Sequence, residues 1–424
     1  MSLKRRDFIK LSGGMGIATL AGVAGGTTDD NSKTDYADPG KFSHLKPMLD
    51  GIVPISEEER LQRVQKAQKL MHDTGLDAIY IEGGTSMFYY LGVRWGNSER
   101  MLAAVIPKNG EISYICPAFE EEKLRELITI GNEVRVWDEH ESPYKVVAGI
   151  FKDRQIKNTV GMEERVRFFL YDGIRKEAPE LNFVSADNVT KGCRVYKSAG
   201  EIALMQRAMD ITIEAFKATL VHLREGMTQE EFKWHCTAAH KALGVRGGTM
   251  IQFGKYTALP HGSKIPQSLK EGDVVLMDGG CGVEGYRSDI SRTVVFGKSS
   301  DRQREVWEIE REAQQKAFEA AQLGVACEEV DKAARDYLTS KGFGPGYKYL
   351  LHRTGHGIGL DGHEWVNFVK GNKTPLAVGM CFSNEPMIAI KDEFGIRLED
   401  CLYMTKAGPK YFTQTSTAID KPFG

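Results

Sequence analysis

The sequence has little net charge, no paired cysteines and no long apolar run, and each shortage excludes a class of protein. Its 56 basic and 58 acidic residues leave a formal net charge of only −2 at pH 7. A chain without a strong field of one sign has no general attraction to nucleic acid or to an anionic membrane surface. We therefore expect no nucleic acid partner. The length of 424 residues predicts two or three globular domains.

The seven cysteines are scattered without the spacing of a disulfide framework or of a cysteine-ligated metal site. They are Cys116, Cys193, Cys236, Cys281, Cys327, Cys381 and Cys401. Both of those interpretations are therefore poor. We predict that the cysteines are small buried residues.

The first residues have the layout of an export signal. Arg5 and Arg6 precede a mildly apolar, glycine-rich run over residues 11–24, which is typical of a twin-arginine signal peptide. We predict this signal over residues 1–26 and a periplasmic or secreted protein; a basic start by chance is the alternative. The run is too short and too rich in glycine for a comfortable membrane span, so we predict no stable membrane anchor.

The next two segments are interpreted as a linker, residues 27–55, and an α/β domain, residues 56–190. A capping box over Ser56–Glu59 opens a helix that Gly75 ends. Strand patterns follow, and Asn109-Gly110 between two apolar runs predicts a hairpin. This domain carries no catalytic constellation of its own.

A second domain is predicted over residues 195–424. Capping boxes at Ser198 with Glu201 and at Thr228 with Glu231 open two helices, and short strands and helices then alternate. Periodicity alone gives an α+β domain, so the predicted fold class of the chain is α/β plus α+β.

Four carboxylates and one imidazole, each within its own short motif, dominate this second domain. They are Asp278, Asp289, His356, Glu385 and Glu399. Carboxylates gathered in one pocket cannot all stay ionised without a cation, because like charges repel strongly at short distance. Two divalent metal ions would neutralise them, and the oxygen-rich ligand set favours Mn²⁺, with Co²⁺ or Zn²⁺ as alternatives.

Local pattern places these residues on strands. Asp278 follows an apolar run, which predicts the end of a buried strand, and Asp289 is expected in a neighbouring strand. Glu399 follows Arg397 at two-residue spacing, so both are expected on one face of a strand. Taken singly, Asp278 is equally well explained as a turn residue before Gly279, and Arg397 as half of a surface ion pair.

The segment His352–Glu364 (H-R-T-G-H-G-I-G-L-D-G-H-E) and the motifs around the carboxylates resemble the creatinase/prolidase ("pita-bread") metallopeptidases. The resemblance is greatest to the Xaa-Pro aminopeptidase and Xaa-Pro dipeptidase branch and covers roughly residues 56–415. Two departures, Gly362 in place of a β-branched residue and Met387 in place of a frequent glycine, bear on substrate preference because neither is a metal position. The resemblance implies a creatinase-like α/β domain followed by a pita-bread catalytic domain.

The resemblance also implies roles for the site residues. Asp278 would hold one metal through both oxygens, Asp289 would bridge the two metals, and Glu385 would be a ligand that also carries a proton to the leaving nitrogen. The resemblance further matches His261 and His363 to outer histidines that stabilise the oxyanion of the substrate carbonyl. It matches His352 and Arg397 to outer positions around the ligands and the substrate carboxylate.

The function expected from these residues is an exported Xaa-Pro aminopeptidase acting on proline-containing peptides. A Xaa-Pro dipeptidase, another hydrolase of amide or amidine bonds and a non-catalytic binding protein on the same fold are the alternatives. A homodimer is also expected, in which Trp95 and Arg100 would face the site of the neighbouring subunit or be ordinary loop residues. Three histidines outside the motifs are interpreted as surface or packing residues: His222, His235 and His240.

Overall fold

The computed structural model describes residues 40–424. The predicted export signal, and the first part of the predicted linker up to residue 39, lie outside the described residues. Within residues 40–424, the helices are too short or too polar to cross a membrane.

The first half of the described chain is built around a six-stranded mixed sheet. Its strands are β1 (Ala78–Glu82), β2 (Ala103–Pro107), β3 (Ser113–Pro117), β4 (Glu133–Trp137), β5 (Thr159–Met162) and β6 (Asn182–Ser185). Its helices are α1 (Glu57–Thr74), α2 (Thr85–Leu91), α3 (Glu121–Leu127), α4 (Pro143–Asp153), α5 (Phe168–Glu177) and α6 (Asp187–Arg194). The spatial order is β4-β3-β2-β1-β5-β6. The antiparallel pairing of β2 with β3 confirms the predicted hairpin at Asn109-Gly110.

Helix α1 begins and ends where the sequence predicts. Ser56 accepts a hydrogen bond from the backbone N–H of Glu59, and Gly75 closes the helix with a φ of 74°. The predicted capping box at α1 is incomplete. The Glu59 carboxylate does not accept from the Ser56 backbone N–H, because it accepts from Arg63 and Ser198 instead.

The second half consists of antiparallel sheets backed by four helices, which confirms the α/β plus α+β fold class. The helices are α7 (Ala199–Leu220), α8 (Gln229–Ala242), α9 (Asp301–Ala320) and α10 (Cys327–Ser340). One sheet has the order β10-β8-β7, from β7 (Gly247–Phe253), β8 (Val274–Val283) and β10 (Ile290–Val295), with β9 (Tyr286–Arg287) beside β8.

Two further sheets complete this half. The first has the order β12-β11-β13-β16-β17 and is formed by β11 (Gly355–Gly357), β12 (Glu364–Phe368), β13 (Cys381–Asn384), β16 (Asp400–Thr405) and β17 (Gly408–Tyr411). The second is the hairpin of β14 (Met387–Ile390) and β15 (Phe394–Arg397).

The start of α7 has the complete capping box that the sequence predicts, with Ser198 and Glu201 bonding to each other's backbone N–H. At α8 only Thr228 caps, because the Glu231 carboxylate pairs with Arg224. A further complete box at the start of α9 was not predicted from the sequence.

Within residues 40–424, the two halves share a buried core and form one compact unit. Arg63 of α1 donates to Tyr286 of β9 at 3.1 Å, and the Tyr286 hydroxyl donates to Glu201 of α7 at 2.9 Å. This buried chain joins elements from both halves. The domain boundaries 56–190 and 195–424 stay predictions.

The residues interpreted as packing residues are buried or pack against buried side chains. All seven cysteines are buried and unpaired, as predicted. His235 and His240 are buried, and His222 packs edge-on against Phe42, so the packing interpretation of these histidines is confirmed.

Candidate metal centre

All nine site residues predicted from the sequence line one cavity of about 740 Å³ in the second half of the chain. They are Asp278, Asp289, His356, Glu385 and Glu399, with His261, His352, His363 and Arg397 around them. A cavity of this size accommodates a small ligand.

Asp278 lies within β8 and not at its end, so that part of the prediction is wrong. The strand continues to Val283, and neighbouring backbone packs closely on the two glycines that follow Asp278. A Cβ on Gly279 would lie 2.1 Å from the carbonyl oxygen of Gly248. Asp289 was expected in a strand but lies one residue before β10, whose pairing with β8 still brings the two aspartates to the same end of the sheet.

Arg397 and Glu399 do not share a strand, which corrects a second expectation. Arg397 ends β15, whereas Glu399 lies in the connection to β16 and forms a bridge with Ser291 of β10. Both still reach the same atom, because the Ser291 hydroxyl accepts from Arg397 Nε at 3.2 Å and donates to Glu399 Oε2 at 2.7 Å. Arg397 is buried, and Nη2 donates to Asp278 Oδ2 at 2.5 Å, so the surface ion pair is excluded.

His356 is oriented to offer a lone pair to a cation. Its Nδ1 lies 3.0 Å from the carbonyl oxygen of Gly357, and because a carbonyl only accepts, Nδ1 carries a proton. The opposite nitrogen, Nε2, faces Glu385 Oε1 at 3.1 Å and Asp289 Oδ2 at 3.7 Å. Ser383 holds both partners, since it accepts from the His356 backbone N–H at 3.0 Å and donates to Glu385 at 3.1 Å. Such outer contacts fix the orientation of a metal-binding histidine.

Among residues 40–424, three overlapping triads have ligand atoms within 4.8 Å of one another: Asp289–His356–His363, His356–Glu385–Glu399 and Asp278–Asp289–Glu399. Between them they contain all five predicted ligands. Glu399 Oε1 is buried without a hydrogen-bond partner among the described residues. An orphaned carboxylate oxygen inside a cluster of acids fits a cation well.

The pKa values of the carboxyl groups show the cost of this crowding. Burial and the neighbouring Asp278 raise the pKa of Asp289 to about 7. Burial and Asp289 raise the pKa of Glu399 well above its usual range. Burial also raises the pKa of Glu385, but without a cation His356 Nε2 is protonated and donates to Glu385, which outweighs burial and holds that pKa below the usual value; a cation on Nε2 would take the place of this proton. The protein alone thus leaves part of its carboxylate charge uncompensated, which divalent cations would balance.

His363 lies beside the ligands, and its tautomer sets it apart from them. Its ring lies against that of His356, with 3.8 Å between centroids and a 31° tilt, and His363 belongs to one of the three triads. Arg353 Nη2 lies 2.9 Å from His363 Nδ1, and since a guanidinium only donates, Nδ1 accepts. Burial and His356 lower the pKa of His363 to about 4, so the ring is neutral at pH 7 and its proton is on Nε2. His363 therefore offers the N–H of Nε2 to the cavity, and Arg353 already occupies the lone pair on Nδ1.

The sequence interpretation missed Arg353, Ser291 and Ser383. Arg353 lies next to His352 in the segment His352–Glu364, so its place in that motif indicated a position near the site. His352 itself is half-buried, and its Nδ1 donates to the backbone oxygen of Arg353 at 2.7 Å.

Residues 203–406 match the family described as Metallopeptidase family M24, and residues 63–196 match the Creatinase/Prolidase N-terminal domain. A "Xaa-Pro dipeptidase" of Lactobacillus helveticus is 34% identical over 359 residues, covering 83% of this chain and 96% of that protein. The chain belongs to the M24 metallopeptidase family.

Two solved structures are similar to this M24 metallopeptidase. The prolidase from Thermococcus sibiricus matches with a TM-score of 0.77 at 28% identity, over 84% of this chain and 96% of that one. The X-Pro aminopeptidase from Thermotoga maritima matches with a TM-score of 0.74 at 29% identity, over 84% and 98%. The predicted creatinase-like α/β domain and pita-bread catalytic domain are thereby confirmed.

Membership of the M24 family makes the protein a peptidase and implies a dinuclear metal site and peptide substrates. The acid–histidine cluster is the candidate for that metal site in this chain.

Proposed function

We propose that this metallopeptidase is a Xaa-Pro dipeptidase, which cleaves the bond before a proline that ends a two-residue substrate. The observation that carries the proposal is the gathering of all five predicted ligands in one cavity of a chain that is 34% identical to a "Xaa-Pro dipeptidase". The sequence first favoured an aminopeptidase. The similarity to named dipeptidases of two lactobacilli and two Pyrococcus species favours the alternative.

Asp278, Asp289, His356, Glu385 and Glu399 would hold two divalent ions, which we propose are Mn²⁺. Such ions lower the pKa of water and polarise a carbonyl. Removing metal with a chelator and adding back Mn²⁺, Co²⁺ or Zn²⁺, with elemental analysis of the purified protein, tests this choice. Activity highest with an ion other than Mn²⁺ would contradict it.

Glu385 is the residue best placed to move a proton. Its Oε1 lies within hydrogen-bond distance of both His356 and Ser383, so the carboxylate is held in one orientation. A carboxylate that binds a cation stays ionised, so Glu385 could accept a proton from the attacking water. It would then pass that proton to the proline nitrogen, which must be protonated as it leaves.

His363 and His261 would stabilise the oxygen of the substrate carbonyl as negative charge develops there. His363 fits this role because its Nε2 carries the proton and Arg353 holds its Nδ1 side. Arg397 instead holds the Asp278 carboxylate, Ser291 and the backbone oxygen of Pro260, and so positions the ligands.

The aminopeptidase and dipeptidase alternatives are separated by substrate length. The metal-loaded protein is offered a Xaa-Pro dipeptide and a Xaa-Pro-Yaa tripeptide with the same first two residues. We expect a higher kcat/KM for the dipeptide. Faster cleavage of the tripeptide would favour the aminopeptidase alternative. A protein that binds no metal would instead indicate a non-catalytic binding protein on this fold.

We also propose export through the twin-arginine route, on the sequence of Arg5-Arg6 and the weakly apolar run that follows. Replacing both arginines with lysine should retain folded, active protein in the cytoplasm. The export proposal is wrong if cell fractionation finds the double variant in the periplasm as often as the wild type.

A homodimer is proposed as well, formed through the edge of the first half that carries Trp95 and Arg100. Phe119 is 62% exposed and lies under the Arg100 guanidinium, 5.4 Å from ring centroid to carbon. Phe119→Ser should weaken the dimer in light-scattering measurements, whereas Val221→Ser, at a 77% exposed position of the second half, should not. A monomeric wild type would contradict the proposal.

A further inference from the structure

A cavity of about 410 Å³ lies where the two halves of the protein meet, apart from the cavity of the metal centre. The start of α2 and the loop after it form one wall, and the other wall contains Gly285, Arg287, Leu360 and Asp361. None of the nine residues predicted for the metal centre lines this cavity. Anything that binds here therefore contacts both halves without touching the candidate metal ligands.

Arg94 and Arg287 bring one positive charge from each half to this cavity. The Arg94 guanidinium carbon lies 3.6 Å from the centroid of the Phe88 ring, and a Cβ on Gly285 would lie 3.1 Å from each of its Nη atoms. Burial lowers the pKa of Arg94, Glu284 opposes that effect, and Arg287 adds to it. The two guanidinium groups are therefore close enough to repel each other.

The carboxylate in the wall of the cavity is not free to neutralise these two arginines. Asp361 already pairs with Arg165 and with Arg194, and it accepts a further hydrogen bond from the Thr85 hydroxyl at 2.8 Å. Within residues 40–424, neither of the two repelling arginines forms an ion pair of its own, whereas Arg165 and Arg194 do. The cavity therefore has two positive charges without an ion-pair partner among the described residues.

A third guanidinium, that of Arg60, lies over the same aromatic ring and increases the positive potential. Its carbon is 4.7 Å from the centroid of Phe88, its side chain is buried, and it donates to the backbone oxygens of Phe88 and Tyr89. Burial and Arg63 lower the pKa of Arg60, and Arg94 lowers it further. Since the field of a buried charge is screened less than that of an exposed one, this part of the protein favours an anion.

We propose that this cavity binds a phosphate-type dianion between the guanidinium groups of Arg94 and Arg287. A guanidinium presents its N–H groups as a fork that matches the oxygens of a phosphate. A dianion also balances both charges, whereas a single carboxylate would balance one. The cavity is larger than a phosphate ion needs, so a small phosphate monoester fits the same chemistry. This site goes beyond the peptidase reaction and does not depend on the substrate length proposed above.

A dianion in this position would tie the two halves together. Arg94 lies in the loop after α2, whereas Arg287 lies in β9, where its backbone N–H donates to the backbone oxygen of Gly359 at 2.7 Å. Because a ligand that binds only the folded protein stabilises it, we expect phosphate to raise the midpoint of thermal unfolding. Without phosphate, Arg287→Met should be no less stable than the wild type, since it removes a repulsion. A residue that only supported the fold would destabilise the protein when removed.

Calorimetric titration with inorganic phosphate tests the site on metal-loaded protein freed of excess metal. We expect Arg94→Met and Arg287→Met each to bind phosphate about 10- to 100-fold more weakly than the wild type, the range of one hydrogen-bonded charge pair. Arg287→Lys should recover part of the loss because it keeps the charge but not the fork. Arg302→Met, which removes an exposed arginine that already has a partner, is the matched control and should keep the wild-type affinity. His356→Ala should lose metal and still bind phosphate, which separates this site from the metal centre.

Phenyl phosphate distinguishes the two sources of this chemistry. Tighter binding of phenyl phosphate than of inorganic phosphate indicates a monoester, equal or weaker binding indicates the free ion, and both results support the site. A wild type that binds neither compound, an unchanged affinity in both Met variants, or a loss confined to His356→Ala would overturn the inference. Binding of an acidic peptide in place of phosphate would overturn it as well. The comparison of dipeptide with tripeptide is independent of these results, so the proposed function is tested separately.

Discussion

The buried pair of Arg292 and Asp400 tests how the ligand-bearing segments are held together. Both side chains are fully buried, and Arg292 Nη2 donates to Asp400 Oδ1 at 2.7 Å. Arg292 Nη1 also donates to the backbone oxygens of Ser291 and Glu399, each at 2.9 Å. Further bonds to the backbone oxygens of Gln414 and Pro422 tie in the end of the chain.

We expect Arg292→Met to lower the free energy of unfolding by about 3–5 kcal/mol, the usual cost of removing one partner from a buried ion pair. Burial raises the pKa of Asp400 although Arg292 and the bond from Thr413 oppose it. Without the guanidinium, the carboxyl group would take up a proton more readily, which favours the lower end of the range. Four backbone oxygens would also lose a donor, so the segments around Asp289 and Glu399 should hold metal less tightly.

Urea denaturation of the metal-loaded protein, with and without a chelator, measures both effects. The double variant Arg292→Met/Asp400→Asn should be less destabilised than the sum of its single variants, because it removes the uncompensated charge. Arg302→Met is the matched control, since Arg302 is exposed and pairs with the exposed Glu393, and it should change stability by less than about 1 kcal/mol. A change that small in Arg292→Met as well would refute the reasoning.

Three other predictions concern the metal centre and its surroundings. Asp289→Ala or Glu399→Ala should abolish turnover and remove at least about half of the metal by elemental analysis, because each belongs to two of the three triads. His363→Ala should keep its metal and lose about 10²–10³ in kcat, the usual effect of removing one oxyanion donor. His356→Ala should lose metal and activity together. Metal loss in His363→Ala would contradict the conclusion that the His363 lone pair is bound by Arg353. Burial raises the pKa of Glu364, but Lys197 and Arg194 outweigh it and lower that pKa to about 2, so its contribution to stability is present above about pH 4.5 and is lost as the pH falls towards 2. Glu364→Gln should remove this part of the acid dependence in unfolding experiments, and an unchanged profile would argue against it.

The gathering of the five candidate ligands was predictable because each lies in its own short motif and because crowded carboxylates need a cation. The helix start at Ser56 and the hairpin at Asn109-Gly110 were predictable for a similar reason, since local turn and capping chemistry decides them. In each case the information lies within a few neighbouring residues.

What the sequence did not predict depends on contacts between distant segments. Asp278 lies inside β8, and not at its end, because backbone from β7 and from the residues before β10 packs against the two following glycines. The half-formed box at Ser56 depends on Glu59 meeting Ser198, 139 positions away. Local patterns carry no information about such partners.

The position of Arg353 is the most consequential of these long-range effects. The chain turns after Gly359 so that the His363 ring lies back against His356, and only then does Arg353 meet His363 Nδ1. This contact commits the lone pair of His363, which separates this histidine from the candidate metal ligands although its ring touches one of them.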